Sequence, residues 1–236
     1  MSTSLELAQD LARESGTMSG VVPTAFTGQT GRTLKCVQWT VEAWRRIQNK
    51  RDGWFWMEAE FTAPTVSGTA KYDPVTATGW ELTRWAMPRH DDSVMRPLSI
   101  YLTATGVSDE GEMREIGFRE WFRKYGRGSQ DNARPSEWAW SPNNQICLGP
   151  TPDAVYTVHG LYRKTPQVFA DGTETPEMPA RFHQAIVWQA AALLQEHDEA
   201  DWRFVRAHEQ LTQIMDDLDR DQLPTMVWGG TPLEDY

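Results

Sequence analysis

The chain has 236 residues, 39% of them hydrophobic, enough to bury one large core or two small ones. A formal net charge of −10 argues against a protein that wraps nucleic acid, because phosphate binding needs clustered Lys and Arg; it suits ordinary solubility or a surface past which DNA slides without sticking. Two cysteines, Cys36 and Cys147, make neither a disulfide framework nor a CxxC metal spacing, and both read as small buried apolar residues in a reducing compartment.

In chain order, Thr3-Ser4-Leu5-Glu6 has the form of a capping box. It opens a helix with Leu5, Ala8, Leu11 and Ala12 on one face, ended by Ser15-Gly16. The stretch Met18 to Gly31 reads as a loop. A second helix is predicted over Arg32 to Lys50, with Leu34, Val37, Val41, Trp44 and Ile47 as its buried stripe and Gly53 as its C-cap. From Trp54-Phe55-Trp56-Met57 the texture changes to strand. Strands are predicted at Glu58–Phe61, Trp80–Trp85, Leu98–Thr103, Glu137–Ser141, Gln145–Leu148 and Val155–Lys164, with a hairpin turn at Ser141-Pro142-Asn143-Asn144. Phe118, Trp121, Phe122 and Tyr125 mark one short helix, closed by Gly126 and Gly128. Two further helices follow. One, over Ala180 to His197, has Phe182, Ile186, Ala190, Leu193 and Leu194 as its apolar face. The other, over Asp198 to Arg220, turns Trp202, Val205, Leu211, Ile214, Met215 and Leu218 inward. The final stretch, with Pro224, Gly229-Gly230 and Pro232, reads as an extended tail.

This split pattern gives an α+β expectation: a discontinuous antiparallel helical bundle from residues 1–53 and 179–220, a β-rich insertion at 54–178 and an extended tail at 221–236. Helices from both ends share one core only if the middle loops out.

Few residues look chemical. Arg45, Arg46, Lys50 and Arg51 crowd the end of the second helix, where they either complement its dipole or contact DNA or an acidic partner. Asp216, Asp217, Asp219 and Asp221 oppose a helix dipole and form either a solvated, fraying end or a functional feature, a repulsive lining or an acidic patch for a basic partner. His90-Asp91-Asp92 and His197-Asp198-Glu199 lack paired metal-ligand spacing, His183 and His208 read as polar-face or half-buried, and Gly126-Arg127-Gly128-Ser129 lacks the ending of a phosphate loop. No catalytic residue, metal ligand or cofactor is therefore assigned. No apolar run reaches membrane length, and Met1-Ser2-Thr3-Ser4 does not resemble a signal peptide, so a cytoplasmic origin without a membrane partner is expected.

Several of these segments resemble the head-to-tail adaptor, or connector, proteins of tailed bacteriophages. The N-terminal resemblance is Gly28-Gln29-Thr30-Gly31, then Val37 to Asp52, then Trp54-Phe55-Trp56-Met57. The C-terminal resemblance comprises Ile146-Cys147-Leu148-Gly149-Pro150-Thr151-Pro152, Tyr156 to Tyr162, Asp171-Gly172-Thr173-Glu174-Thr175-Pro176-Glu177-Met178-Pro179 and Phe182 to Val187. The resemblance does not extend over residues 62 to 115. The resemblance implies a structural virion protein rather than an enzyme. It implies a ring of identical copies beneath the portal, commonly twelvefold, which passes the genomic DNA and offers a platform to tail or neck proteins. It also implies a C-terminal extension for the portal, here with Met226, Val227, Trp228, Leu233 and Tyr236 as anchors. Two readings from other classes stand beside it: a carbohydrate-binding module stacking sugars on Trp54, Trp56, Trp80, Trp85, Trp138 and Trp140, and a cell-wall hydrolase using two of Asp91, Asp92, Glu110 and Glu115.

Overall fold

The computed structural model describes residues 1–15, 21–51, 53–86, 98–197 and 201–223. The elements in chain order are α1 (Ser4–Glu14), α2 (Gly31–Lys50), β1 (Glu58–Pro64), β2 (Lys71–Tyr72), β3 (Trp85–Ala86), β4 (Leu98–Leu102), β5 (Gly111–Glu115), α3 (Phe118–Tyr125), β6 (Glu137–Trp140), β7 (Ile146–Gly149), β8 (Tyr156–Lys164), α4 (Gln184–His197) and α5 (Asp201–Gln222). The fold is α+β, and the chain divides into two compact units: Met1–Met57 with Pro166–Tyr236, and Glu58–Thr165.

In the first unit the capping box forms as expected. The Glu6 N–H donates to Thr3 Oγ1 at 3.2 Å, and the Thr3 N–H donates to Glu6 Oε2 at 2.8 Å. Leu7, Ala8, Leu11 and Ala12 are buried, with Leu7 rather than Leu5 completing the stripe. On α2 the stripe is displaced. Val37, Trp44 and Ile47 are buried, Leu34 and Val41 only half so, and Cys36, Thr40, Ala43 and Gln48 take the remaining positions. Smaller residues suit this face because α2 packs against both α1 and α4. Gly53 is not the C-cap: Arg51 leaves the helix extended (φ −134°, ψ 143°), so no left-handed residue is required.

Trp54–Met57 is not strand either. Phe55–Met57 form a 3₁₀ turn, and Trp54 Nε1 donates to the Ile47 carbonyl at 3.0 Å, folding the segment back on the end of α2. A ladder of rings results: Trp54 on Trp56 (centroids 4.5 Å apart), Trp56 on Trp44 (6.5 Å), Trp44 on Phe169 (5.8 Å) and Phe169 on Phe26 (6.5 Å). On α4, Ala185, Ile186, Val187, Ala190, Ala191, Leu193 and Leu194 are buried nearly all round, because three other helices pack on it. On α5 the buried residues Ala207, Leu211, Met215 and Leu218 follow helical spacing. Val205 is 56% exposed instead of inward, since it lies across the helix from Ala207.

The second unit is a mixed sheet ordered β1-β8-β4-β5-β6-β7-β2, with β3 also pairing β8. Every pairing is antiparallel except the parallel β5–β6. The Trp80–Trp85 strand shrinks to Trp85–Ala86; Trp80 and Leu82 reach the core from turns instead. The hairpin at Ser141 to Asn144 closes as expected, with the Ser141 N–H donating to the Gln145 carbonyl at 2.8 Å and Asn144 left-handed at φ +60°. Alternation then sorts β6 and β7: Trp138, Ile146 and Leu148 enter the main core, while Ala139 and Cys147 lie under α3 with Trp121. At Gly149 an added Cβ would sit 2.4 Å from the Tyr125 ring, so only glycine admits α3 this close.

Candidate functional site

The basic end of α2 and the base of the C-terminal segment meet in the first unit. Glu42 sits three and four residues before Arg45 and Arg46, a spacing that places all three on one helix face. Its carboxylate accepts from Arg45 Nη2 at 2.7 Å, Arg45 Nε at 2.8 Å and Arg46 Nε at 2.9 Å. Hydrogen bonds from Arg45 and then Arg46 hold its pKa at about 2. Arg51 reaches Asp219 of α5 at 3.1 Å, and Lys50 is exposed. Two more carboxylates of the acidic run on α5 are paired, Asp217 with Arg220 at 3.0 Å and Asp221 with Arg181. Pairing of this kind offsets the repulsion of carboxylates from a helix C-terminus. Leu223, partly buried on the same core, lies 3.9 Å from where a Gly53 Cβ would stand, so the chain passes the end of α2 just before the tail. The anchors Met226, Val227, Trp228, Leu233 and Tyr236 lie outside the described residues, as do Met18, Asp52, His90, Asp91, Asp92, Asp198, Glu199 and the Trp202 side chain.

The segment preceding α4 is a strap tied to two helices. Glu174 Oε1 accepts from the N–H groups of Ala170 (2.5 Å) and Asp171 (3.0 Å), and Oε2 from the Gly172 N–H (2.9 Å) and Ser4 Oγ (3.0 Å). Burial pushes its pKa up, but these donors outweigh burial and hold it at about 2. Gly172 has φ +92° and a Cβ there would meet Phe26 Cβ at 3.0 Å, so the turn needs glycine. Deeper in, Gln48 and Gln167 exchange hydrogen bonds: the Gln167 N–H donates to Gln48 Oε1 at 2.6 Å, and Gln48 Nε2 donates to the Gln167 carbonyl at 3.0 Å. Gln167 Oε1 also accepts from Trp44 Nε1 at 3.2 Å. Sequence reasoning missed these two glutamines. The available signal was a polar residue one turn after Trp44 on the buried face of α2, which must find a partner. His183, expected to be at most half-buried, is only 3% exposed; its Nε2 faces the Met178 carbonyl at 3.1 Å, and burial lowers its pKa.

In the second unit His159 of β8 bridges two carboxylates, with Nε2 2.6 Å from Glu60 and Nδ1 3.4 Å from Glu110. The Ser99 hydroxyl donates to Glu110, not to the imidazole. The hydrogen bond to Glu60, opposed by burial and aided by Glu110, raises the His159 pKa. A raised folded pKa contributes stability fully present below the unfolded value and lost as pH rises through the folded one. Glu60→Gln is therefore expected to lower the His159 pKa towards that of a free imidazole. An NMR titration of its ring protons checks this, and an unchanged midpoint would remove Glu60 as the principal partner.

The rings proposed for sugar stacking do not form a platform. Trp54, Trp56, Trp80, Trp85 and Trp138 are buried, and Trp140 packs against Trp85 and Trp138 with centroids 5.1 Å apart in both cases. Of the acids considered for hydrolysis, Glu110 is held by Ser99 and His159, and Glu115 is exposed on β5. Gly126 caps α3, confirming that Gly126-Arg127-Gly128-Ser129 is a helix exit. Among the described residues, no group of three or more His, Cys, Asp or Glu could hold a metal, and no helix is long and apolar enough to cross a membrane.

No curated protein matches this chain. A family model described as SU10 adaptor protein matches residues 2–231, spanning both units.

Proposed function

The chain belongs to the SU10 adaptor protein family, a family of phage head-to-tail adaptors, and from that premise we propose that it forms a ring beneath the portal, extends the DNA channel and offers the platform on which the tail attaches. Its role as a structural adaptor at the head–tail junction, between portal and tail proteins, follows from the family itself. The observation that carries the finer reading is the extent of the match, from residue 2 to residue 231.

In this reading the ring is a homododecamer closed by heterologous contacts, each copy presenting two different faces to its neighbours. It assembles in the bacterial host cytoplasm. The helical core carries the β-rich insertion, and the tail leaves from beside the basic end of α2, where Leu223 is anchored. Met226, Val227, Trp228, Leu233 and Tyr236 then dock on the portal, with the large Trp228 ring as the central anchor.

Native mass spectrometry of the chain alone and with the portal protein encoded beside it tests the ring. A defined multimer on the portal is expected, and absence of association across salt conditions would sink the reading. Trp228→Ala is expected to weaken portal binding by more than ~1 kcal/mol, roughly fivefold or more. Unchanged affinity would take the tail out of the mechanism.

A further inference from the structure

Among the described residues, α2 leaves only Lys50 of its basic end unpaired, whereas α3 and the turn that leaves it present a row of exposed, unpaired arginines. Residues 114–134 carry six Arg or Lys against three acids, in a chain whose net charge is −10. Three of the six are internally engaged. Arg114 pairs with Glu137, Lys124 reaches Glu120 at 2.9 Å and Glu137 at 3.1 Å, and Arg134 reaches Asp109 at 2.8 Å. The other three, Arg119, Arg123 and Arg127, are exposed and make no ion pair among the described residues.

Their alignment follows from how α3 is seated. Trp121 is buried and donates from Nε1 to the Leu148 carbonyl at 3.0 Å, with Phe118 and Tyr125 beside it. Residues two positions either side of a buried residue fall on the far side of a helix, so Arg119 and Arg123 point away from the sheet. Four residues separate Arg119 from Arg123, and four separate Arg123 from Arg127, a rise of about 6 Å per step while the helix lasts. The Arg127 guanidinium lies 5.4 Å from the centre of the Phe122 ring, itself 39% exposed. Exposed Ser129, Gln130 and Asn132 follow.

We propose that the Arg119–Arg123–Arg127 ridge is the surface through which this chain touches the phosphate backbone of duplex DNA. A protein partner fits less well. An interface of that kind needs an apolar centre, and here, among the described residues, a single exposed large apolar ring, Phe122, has the Arg127 guanidinium over it. Guanidinium groups flanked by hydroxyl and amide donors suit phosphate oxygens. The contact is weak by construction. Three phosphate contacts give a salt slope of about −2.7, so affinity falls about fortyfold between ~50 and ~200 mM salt. The acidic remainder of the chain repels the duplex, confining contact to the ridge and letting DNA move past. The proposal rests on the channel reading above and names the residues that meet the genome.

Fluorescence anisotropy of a short duplex DNA, titrated with the full-length chain at several salt concentrations, tests it. The wild type is expected to bind at ~50 mM salt with a slope near −2.7. R119E/R123E/R127E is expected to lose tenfold or more, and R119K/R123K/R127K to keep the slope; all three positions are exposed, and circular dichroism checks that each variant folds. Equal binding by wild type and charge-reversed protein would overturn the proposal, as would no wild-type binding at ~50 mM salt. Native mass spectrometry of the same variants with the portal separates the two readings. Retained portal association alongside ridge-independent DNA binding rejects the ridge and leaves the adaptor reading intact. Portal or self-association lost without any DNA binding assigns the ridge to a protein contact and also overturns the proposal.

Discussion

Replacing Trp44 by Ala is expected to destabilise the first unit by about 3–5 kcal/mol, the largest single effect anticipated in this chain. Trp44 is 1% exposed and stands in the middle of the ring ladder, stacked on Trp56 at 6.5 Å and on Phe169 at 5.8 Å. Truncation to Ala leaves a cavity between these rings and also removes the N–H that Gln167 Oε1 accepts at 3.2 Å, leaving that oxygen with the longer bond from the Glu177 N–H at 3.3 Å. Trp44→Phe separates the two contributions. It keeps a ring in the ladder and loses only the hydrogen bond and part of the volume, so a cost of ~1–2 kcal/mol is expected. Thermal unfolding reads both. For a chain of this length each kcal/mol shifts the midpoint by about 2–4 °C, so Trp44→Ala should fall roughly 6–20 °C below wild type. A midpoint within 2 °C or so of wild type would show that the ladder is not what holds α2 to the strap.

The ladder also shows where sequence reading reaches its limit. Trp54-Phe55-Trp56-Met57 reads as strand because aromatic residues favour strands, yet the segment is a single 3₁₀ turn committed to a helical core by the Trp54 bond to Ile47. A tertiary contact overrode the local preference. Helix α1 was legible because its capping box is a local signal, complete within Thr3 to Glu6. The α3 boundaries were legible for a similar reason: four aromatic residues at helical spacing, then Gly126. Strand β5 was not, since Gly111–Glu115 buries Met113 alone and is strand only because β4 and β6 flank it. Its parallel pairing with β6 leaves no trace in periodicity at all.

The candidate site was legible in part. The basic cluster at Arg45, Arg46, Lys50 and Arg51 is visible as sequence, but its meaning changes once Glu42 and Asp219 are seen to take up three of its four charges. Glu42 lies within the helix and was open to the spacing rule. Asp219 lies far along the chain and was not. The α3 ridge was visible in outline, as Arg119, Arg123 and Arg127 at four-residue intervals. Which of the neighbouring cations were spoken for depended on Glu137 and Asp109, which only folding brings near.

Glu174→Gln is expected to cost about 2–3 kcal/mol at neutral pH and to flatten the acid side of the stability curve. The Glu174 carboxylate collects three backbone N–H groups and the Ser4 hydroxyl with its two oxygens, fixing the strap against the start of α1. Gln keeps the shape but turns one oxygen into a donor facing N–H groups, so at least one of these amides loses its acceptor within the strap. The folded pKa of about 2 lies below the ordinary 4.5. A depressed carboxyl contributes stability fully present above the unfolded pKa and lost as pH falls through the folded one. Wild-type stability should therefore drop between pH 4.5 and about 2 by on the order of 3 kcal/mol from this group. The variant has no charge to titrate there, so its curve should converge on wild type as pH falls. Chemical denaturation across that window provides the test, and hydrogen exchange at Ala170, Asp171 and Gly172 locates the effect. Parallel curves with equal exchange would mean that the strap holds α1 through the backbone bonds of Ser4 and Leu5 to Glu174 and Gly172 alone. Converging curves with faster exchange would make Glu174 the residue that couples the Asp171 to Pro179 segment to the first helix, explaining physically why that run of sequence takes the form it does.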